Sequence, residues 1–186
     1  APSGQTYDSG DFPAVLAHGL DHADWEGFAA RRAASKAKGL HRGIGVSNYL
    51  EVTAPVETEM GGIRFDDDGG VTIITGTLDY GQGHAAPFAQ VLVSHLGIPF
   101  ERIRLLQGDS DELITGGGTG GSKSIMASGG AIVEASGEVI EKARKVASHV
   151  LEAAVEDIEF DNGDLIVAGT DRRVSVLDLA AQLRDG

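Results

Sequence analysis

Apolar positions recur at helical spacing in some stretches of this chain and gather into short β-friendly runs in others. From about Asp11 to Lys38, Leu16, Leu20, Ala23 and Phe28 fall on one face, Asp11 stands where an N-cap belongs, Pro13 suits the first turn and Gly39 the end. Acids (Asp21, Asp24, Glu26) precede bases (Arg31, Arg32, Lys36, Lys38), the order the helix dipole favours. The pattern predicts one helix over the whole stretch. His18 and His22 have a spacing a metal can use, but no third ligand accompanies them and the HExxH pattern is missing, so they read as solvated histidines.

Residues 40–54, "LHRGIGVSNYLEVTA", read as strand, with Ile44 and Val46 set among glycines that suggest bulges. "ETEMGGIRF" and "GVTIITGTL" flank "DDDGG", which predicts a hairpin; Asp66–Asp68 lack the rest of a calcium loop and read as a solvated turn. The pattern then runs strand, turn, helix twice. In the first copy a strand ends near Asp79, "YGQGH" turns, and Phe88, Val91, Leu92 and Leu96 mark a helix ended by Gly97. In the second, "RIRLLQ" is a strand, 108–121 is a long loop, and a helix of about thirty residues starts near Ser122 or Ser124.

That helix shows Ile125, Gly129, Ile132, Ser136, Val139, Ala143, Val146 and Val150 on one face, with Glu138–Lys142 and Glu141–Lys145 as oriented pairs. Its Gly129, Gly130 and Gly137 suggest close packing against another backbone. The tail predicts a small hairpin turning at Asn162–Gly163 and a short helix from Ser175. Together these elements predict an α+β fold, a mixed β-sheet with helices packed on it, as a single unit over residues 1–186.

Composition narrows the function. The chain has 186 residues, 41% of them hydrophobic, enough for a core of useful size. A net charge of −13 argues against nucleic acid and anionic membrane surfaces as partners. There is no cysteine, which excludes disulfides and cysteine-held clusters in this chain. No apolar run approaches the ~18–20 residues of a membrane span and no leader pattern opens the sequence, which fits a cytoplasmic protein.

The candidate chemistry lies in "GGGTGGSKS", residues 116–124. A GxxxxGK[ST] phosphate loop fails because Ser122 separates Gly121 from Lys123. Gly116, Gly118 and Gly121 satisfy GxGxxG, but "GDSDELIT" intervenes after the strand that a dinucleotide fingerprint must follow directly. Two readings stay open. Glycines and the start of a long helix can present N–H groups to an anion, with Ser122, Ser124 and Lys123 as helpers and Tyr80–His84 repeating the design. Alternatively Ser122 or Ser124 is an ordinary N-cap after a mobile loop.

"TGTLDYGQGHAAPFAQVLVSHLGIP" and "RIRLLQGDSDELITGGGTGGSKSIMASGGAIVEA", with "YDSGDF" and "RGIGVSNYLE", resemble the large, molybdopterin-binding subunit of the xanthine dehydrogenase/aldehyde oxidase family. Among its branches the chain looks most like the large chains of aerobic carbon monoxide dehydrogenase type. The resemblance implies a molybdenum hydroxylase, an oxidoreductase acting on a small-molecule substrate with iron–sulfur and FAD-binding partners. It implies that Gly81, Gln82, Gly83 and His84, with Thr119, Gly120, Gly121, Ser122, Lys123 and Ser124, bind molybdopterin, in bacteria often as the cytosine dinucleotide. Ala85–Ala86 and Lys123 depart from the family's usual residues, and lysine lacks arginine's planar fork. The family's catalytic glutamate and substrate pocket have no counterpart here. The expectation is therefore a fragment of the large subunit, apo and inactive alone; the alternative is a binding or structural module that kept the fold and lost the cofactor.

Overall fold

In the computed structural model, which describes residues 4, 6–51, 53 and 58–185, the first stretch is two helices and not one. Helix α1 (Phe12–His22) is capped by Asp11, whose Oδ1 accepts from the Ala14 N–H at 3.0 Å, and α2 (Phe28–Ala37) follows a turn. Asp24 breaks the helix. Its backbone is left-handed (φ 47), its carboxylate accepts from the Gly27 N–H at 3.1 Å, and it pairs with Arg31. An aspartate that competes for backbone donors favours a turn over a helix interior. The acids-before-bases order thus reports a stapled turn as much as a dipole. His18 and His22 are both exposed.

Residues 40–51 have no regular secondary structure, contrary to the predicted strand, and Leu40, Val46 and Tyr49 are exposed. A strand needs a partner ladder, and among the described residues none pairs with this segment. Val52 and Ala54, at the end of the predicted strand, lie outside the described residues. The chain divides into two compact units, Ala1–Leu50 and Glu51–Gly186.

In the second unit β1 (Gly61–Phe65) pairs antiparallel with β2 (Val71–Thr75), and β2 pairs parallel with β3 (Ile103–Leu106) after the crossover helix α3 (Ala85–Leu96). The long helix α4 (Ser124–Val150) packs on β1 and α3. A second, antiparallel sheet follows, β4 (Ile158–Asp161), β5 (Asp164–Val167) and β6 (Arg173–Ser175), closed by α5 (Val176–Asp185). One apolar core joins the layers: Val71, Ile73, Phe88, Leu92, Ile132 and Leu165 are fully buried. Each large side chain buried in this way contributes about 1.5–3 kcal/mol. The α+β class is therefore as predicted, divided between one mixed sheet and one antiparallel sheet.

Asn162 (φ 44) and Gly163 (φ 94) make the predicted hairpin turn, with both central residues left-handed as a tight hairpin requires. The glycines of α4 do not behave as predicted. A β-carbon at Gly130 or Gly137 would meet nothing within 4 Å, and one at Gly129 would meet only Ile125, at an ordinary 3.5 Å. The close approach is supplied by the facing strand, where a β-carbon at Gly61 would stand 2.6 Å from that of Ala131. Glu138 pairs with Lys142 (3.4 Å) as expected, whereas Glu141 takes Arg144 (2.7 Å) in place of Lys145.

Candidate functional site

Strand β2 ends at Thr75 and the chain enters the "YGQGH" turn with Asp79 at its centre. The Asp79 carboxylate accepts from the backbone N–H of Gly81 (2.7 Å), Gly83 (3.2 Å) and His84 (2.7 Å). These bonds, the one from His84 foremost, hold its pKa below the usual carboxylate value. The donors that the sequence offered to an external anion are thus satisfied by an internal one. Gln82 Oε1 takes the Tyr80 N–H, and Gly81, Gln82 and Gly83 stay exposed while His84 is buried at the N-cap of α3.

The glycine loop is pinned against the same strand end. Gly118 N–H donates to the Gly76 carbonyl at 3.2 Å, and the Leu78 N–H donates to Thr119 Oγ1 at 3.3 Å. A β-carbon on Gly76 would lie 2.7 Å from the Cα of Gly116, so only glycine permits the approach. Between the two loops lies a cleft of about 310 Å³ bordered by Leu78, Tyr80, Gly108, Thr115, Gly116 and Gly118.

At the start of α4 neither serine is the N-cap. Lys123 holds that position and provides no side-chain capping bond. Ser124 Oγ instead donates to Thr119 Oγ1 at 3.3 Å, and Ser122, in the left-handed region at φ 55, donates from Oγ to Glu51 Oε1 at 3.2 Å. The first amides of a helix have no acceptor within it, and here no side chain caps them. This helix start, with Lys123 beside it and exposed Gly120 and Gly121 before it, is the one that suits an anion.

Beneath both loops lies a group of polar side chains that the sequence pattern did not single out. Thr75, Thr77 and Ser128 are fully buried. Thr77 Oγ1 lies 3.2 Å from Thr75 Oγ1 and 3.1 Å from Ser128 Oγ, and Gln107 Nε2 donates to Thr77 Oγ1 at 2.8 Å and to Thr75 Oγ1 at 2.9 Å. The same nitrogen lies 3.3 Å from His84 Nδ1, and the His84 ring stacks on Phe88. The alternating threonines of "TGTL" were the available signal; their inward direction depends on the sheet.

A concavity of about 630 Å³ lies at the β1–β2 turn and reaches Gln107 and Asp109 at the start of the long loop. Several of its charges pair, while Asp67 stays exposed: Arg64 meets Asp66 (3.0 Å) and Glu112 (2.9 Å), and Arg104 meets Asp66 (3.3 Å) and Asp68. Asp66 and Asp68 are thus engaged by arginines, and Asp67 is the solvated member of the turn. Among the described residues no group of three or more histidines and acids could hold a metal.

The profile described as a molybdopterin cofactor-binding domain matches residues 18–185. This chain belongs to that family. Its relatives include the nicotine 6-hydroxylase large subunit of Paenarthrobacter nicotinovorans, 32% identical over 96% of this chain and 24% of its own length. The carbon monoxide dehydrogenase large chain of Hydrogenophaga pseudoflava is 33% identical over the same shares. The structure of carbon monoxide dehydrogenase from Oligotropha carboxidovorans superposes with a TM-score of 0.67 at 30% identity, covering 97% of this chain and 25% of that one. The chain thus spans about a quarter of the length of these relatives. No helix among the described residues is long and apolar enough to cross a membrane.

Proposed function

We propose that this chain is one part of the molybdopterin-binding region of a longer large subunit, and that the whole subunit is a molybdenum hydroxylase. The observation that carries the reading is the bracing of the glycine loop to the "YGQGH" turn within a chain of this family, beside a helix start whose amides no side chain caps. The donors fit an anionic pterin. Thr119, Gly120, Gly121, Ser122, Lys123 and Ser124 would hold its phosphate or pterin edge, and the exposed face of Gly81, Gln82 and Gly83 would lie against it, with His84 supporting that turn from below. The cytosine dinucleotide form, with its second phosphate, suits a site that offers both backbone donors and a lysine.

When bound, the cofactor supplies a two-electron oxidation in which a substrate carbon gains an oxygen from water and two protons and two electrons leave. Iron–sulfur and FAD-binding partners carry those electrons away, and the relatives named as a large subunit and a large chain support an assembly of that kind. A cytoplasmic location belongs to the same reading. This chain contributes walls and not the reacting groups: Glu134, Glu138 and Glu141 are exposed on α4, and the last two are engaged with Lys142 and Arg144. The isolated piece is accordingly expected to be apo and inactive.

The test is co-expression of the complete large subunit with its partners, followed by assay of molybdenum by elemental analysis and of pterin by fluorescence after oxidation. Both are expected near one per subunit, and lower in Gln82→Ala, which strips the amide from the exposed turn. A subunit that folds and assembles yet carries neither sinks the proposal in favour of a module that kept the fold and lost the cofactor.

A further inference from the structure

We propose that Thr77 and Gln107 are positioning residues, whose buried hydrogen-bond cluster sets the register between the Asp79–His84 turn and the start of α4; its consequence for cofactor loading rests on the reading above. The cluster ties together four elements through polar side chains. Thr75 closes β2, Gln107 follows β3, His84 caps α3, and Ser128 stands one turn inside α4.

Thr77 is the hub. A hydroxyl donates once and accepts twice, and Thr77 Oγ1 has three neighbours: Gln107 Nε2 at 2.8 Å, Ser128 Oγ at 3.1 Å and Thr75 Oγ1 at 3.2 Å. It is 1% exposed and Ser128 is 0% exposed, so water does not replace a missing partner. Gln107 Nε2, whose two hydrogens go to Thr75 and Thr77, also lies 3.3 Å from His84 Nδ1 as the alternative acceptor for one of them, on a ring stacked on Phe88 at 5.0 Å between centroids.

Apolar side chains of similar volume would fill this space with little loss of stability, since paired buried hydrogen bonds contribute little net over well-packed apolar groups. Directional bonds add register, because a shift of the turn against α4 leaves buried donors without acceptors. The cluster lies where register matters. Gly76, between Thr75 and Thr77, accepts the Gly118 N–H of the glycine loop, and His84 donates its N–H to the Asp79 carboxylate that shapes the turn.

The experiment uses the complete subunit with three substitutions. Thr77→Val removes the hydroxyl at nearly constant volume, Thr77→Ser keeps it, and Gln107→Met removes the amide from a chain of similar length. Hydrogen exchange, followed by mass spectrometry on cofactor-free protein, reads the amides of 78–84 and 118–127. Exchange is expected to be about tenfold faster in Thr77→Val and Gln107→Met, the scale of one lost buried hydrogen bond, and close to wild type in Thr77→Ser. Molybdenum per subunit should fall in Thr77→Val and Gln107→Met and be retained in Thr77→Ser. Unchanged exchange in Thr77→Val, or a Thr77→Ser variant as loosened as Thr77→Val, overturns the proposal. A wild-type subunit without molybdenum refutes the cofactor reading alone, because the exchange comparison still decides the positioning role. Should Thr77→Val fail to fold, Ser128→Ala at the margin of the cluster, with Gln107→Met, replaces it: faster exchange in both supports the positioning role, and unchanged exchange in both overturns it.

Discussion

Gly97 ends α3 with φ 63, and a β-carbon there would stand 2.3 Å from the carbonyl of Asn162 in the β4–β5 turn. Two separate demands meet at this residue, a left-handed backbone and a contact too tight for any side chain. Gly97→Ala is therefore expected to destabilise the protein by about 3 kcal/mol or more, the sum of left-handed strain and overpacking. Urea unfolding checks it, and a loss below about 1 kcal/mol, the strain alone, would show that the hairpin can move aside. The sequence showed the first demand, since glycine after the last apolar position is a stop signal. It could not show the second, which comes from a residue far along the chain. Asp79 teaches the same lesson at the candidate site. The turn was readable from "YGQGH", but the donors of that turn were already taken by a carboxylate two residues before the first glycine.

Among elements, α4 and α3 were readable because their apolar stripes are long and regular, and the β1–β2 and β4–β5 hairpins because each has its own turn residues. The first stretch misled because its apolar period runs through the break. Only the bonds of Asp24 to Gly27 and Arg31 reveal the turn, and their geometry is invisible in a list of charges. The strand predicted over 40–54 is not formed at 40–51 for the opposite reason: β-friendly residues are present there and, among the described residues, a partner strand is not. The α4 glycines allow a quantitative test. With open space around Gly130 and Gly137, alanine meets no obstacle and restores helix propensity. Gly130→Ala and Gly137→Ala should each stabilise the protein by about 0.5–1 kcal/mol and add in the double variant. Thermal or urea unfolding reads this directly, and destabilisation at either site would reveal a neighbour that packs there.

For the whole molecule the family was readable because two glycine-rich turns at a fixed separation form a rarer pattern than either alone, and the fold brings both to one strand end. The polar cluster below them was not readable, because which threonines face inward is set by the sheet. Stability against acid follows from the carboxylates that the fold engages. Arg104, foremost through its hydrogen bond, holds Asp68 at about 2 against an ordinary 3.8. Burial pushes Asp66 upward, yet the Thr72 hydroxyl, Arg64 and Arg104 outweigh it and leave that carboxyl below its ordinary value, as the turn amides do for Asp79. Carboxylates with lowered native values bind protons more weakly in the folded chain than in the unfolded one. Their contribution is therefore whole above 3.8 and is lost as the pH falls through that value toward about 2. The urea midpoint of this chain is expected to decline across that window, and Arg104→Gln, which returns Asp68 toward 3.8, should make the decline shallower while lowering the plateau above it. A midpoint that stays level down to pH about 2 would mean that these ion pairs and turn bonds do not persist in solution.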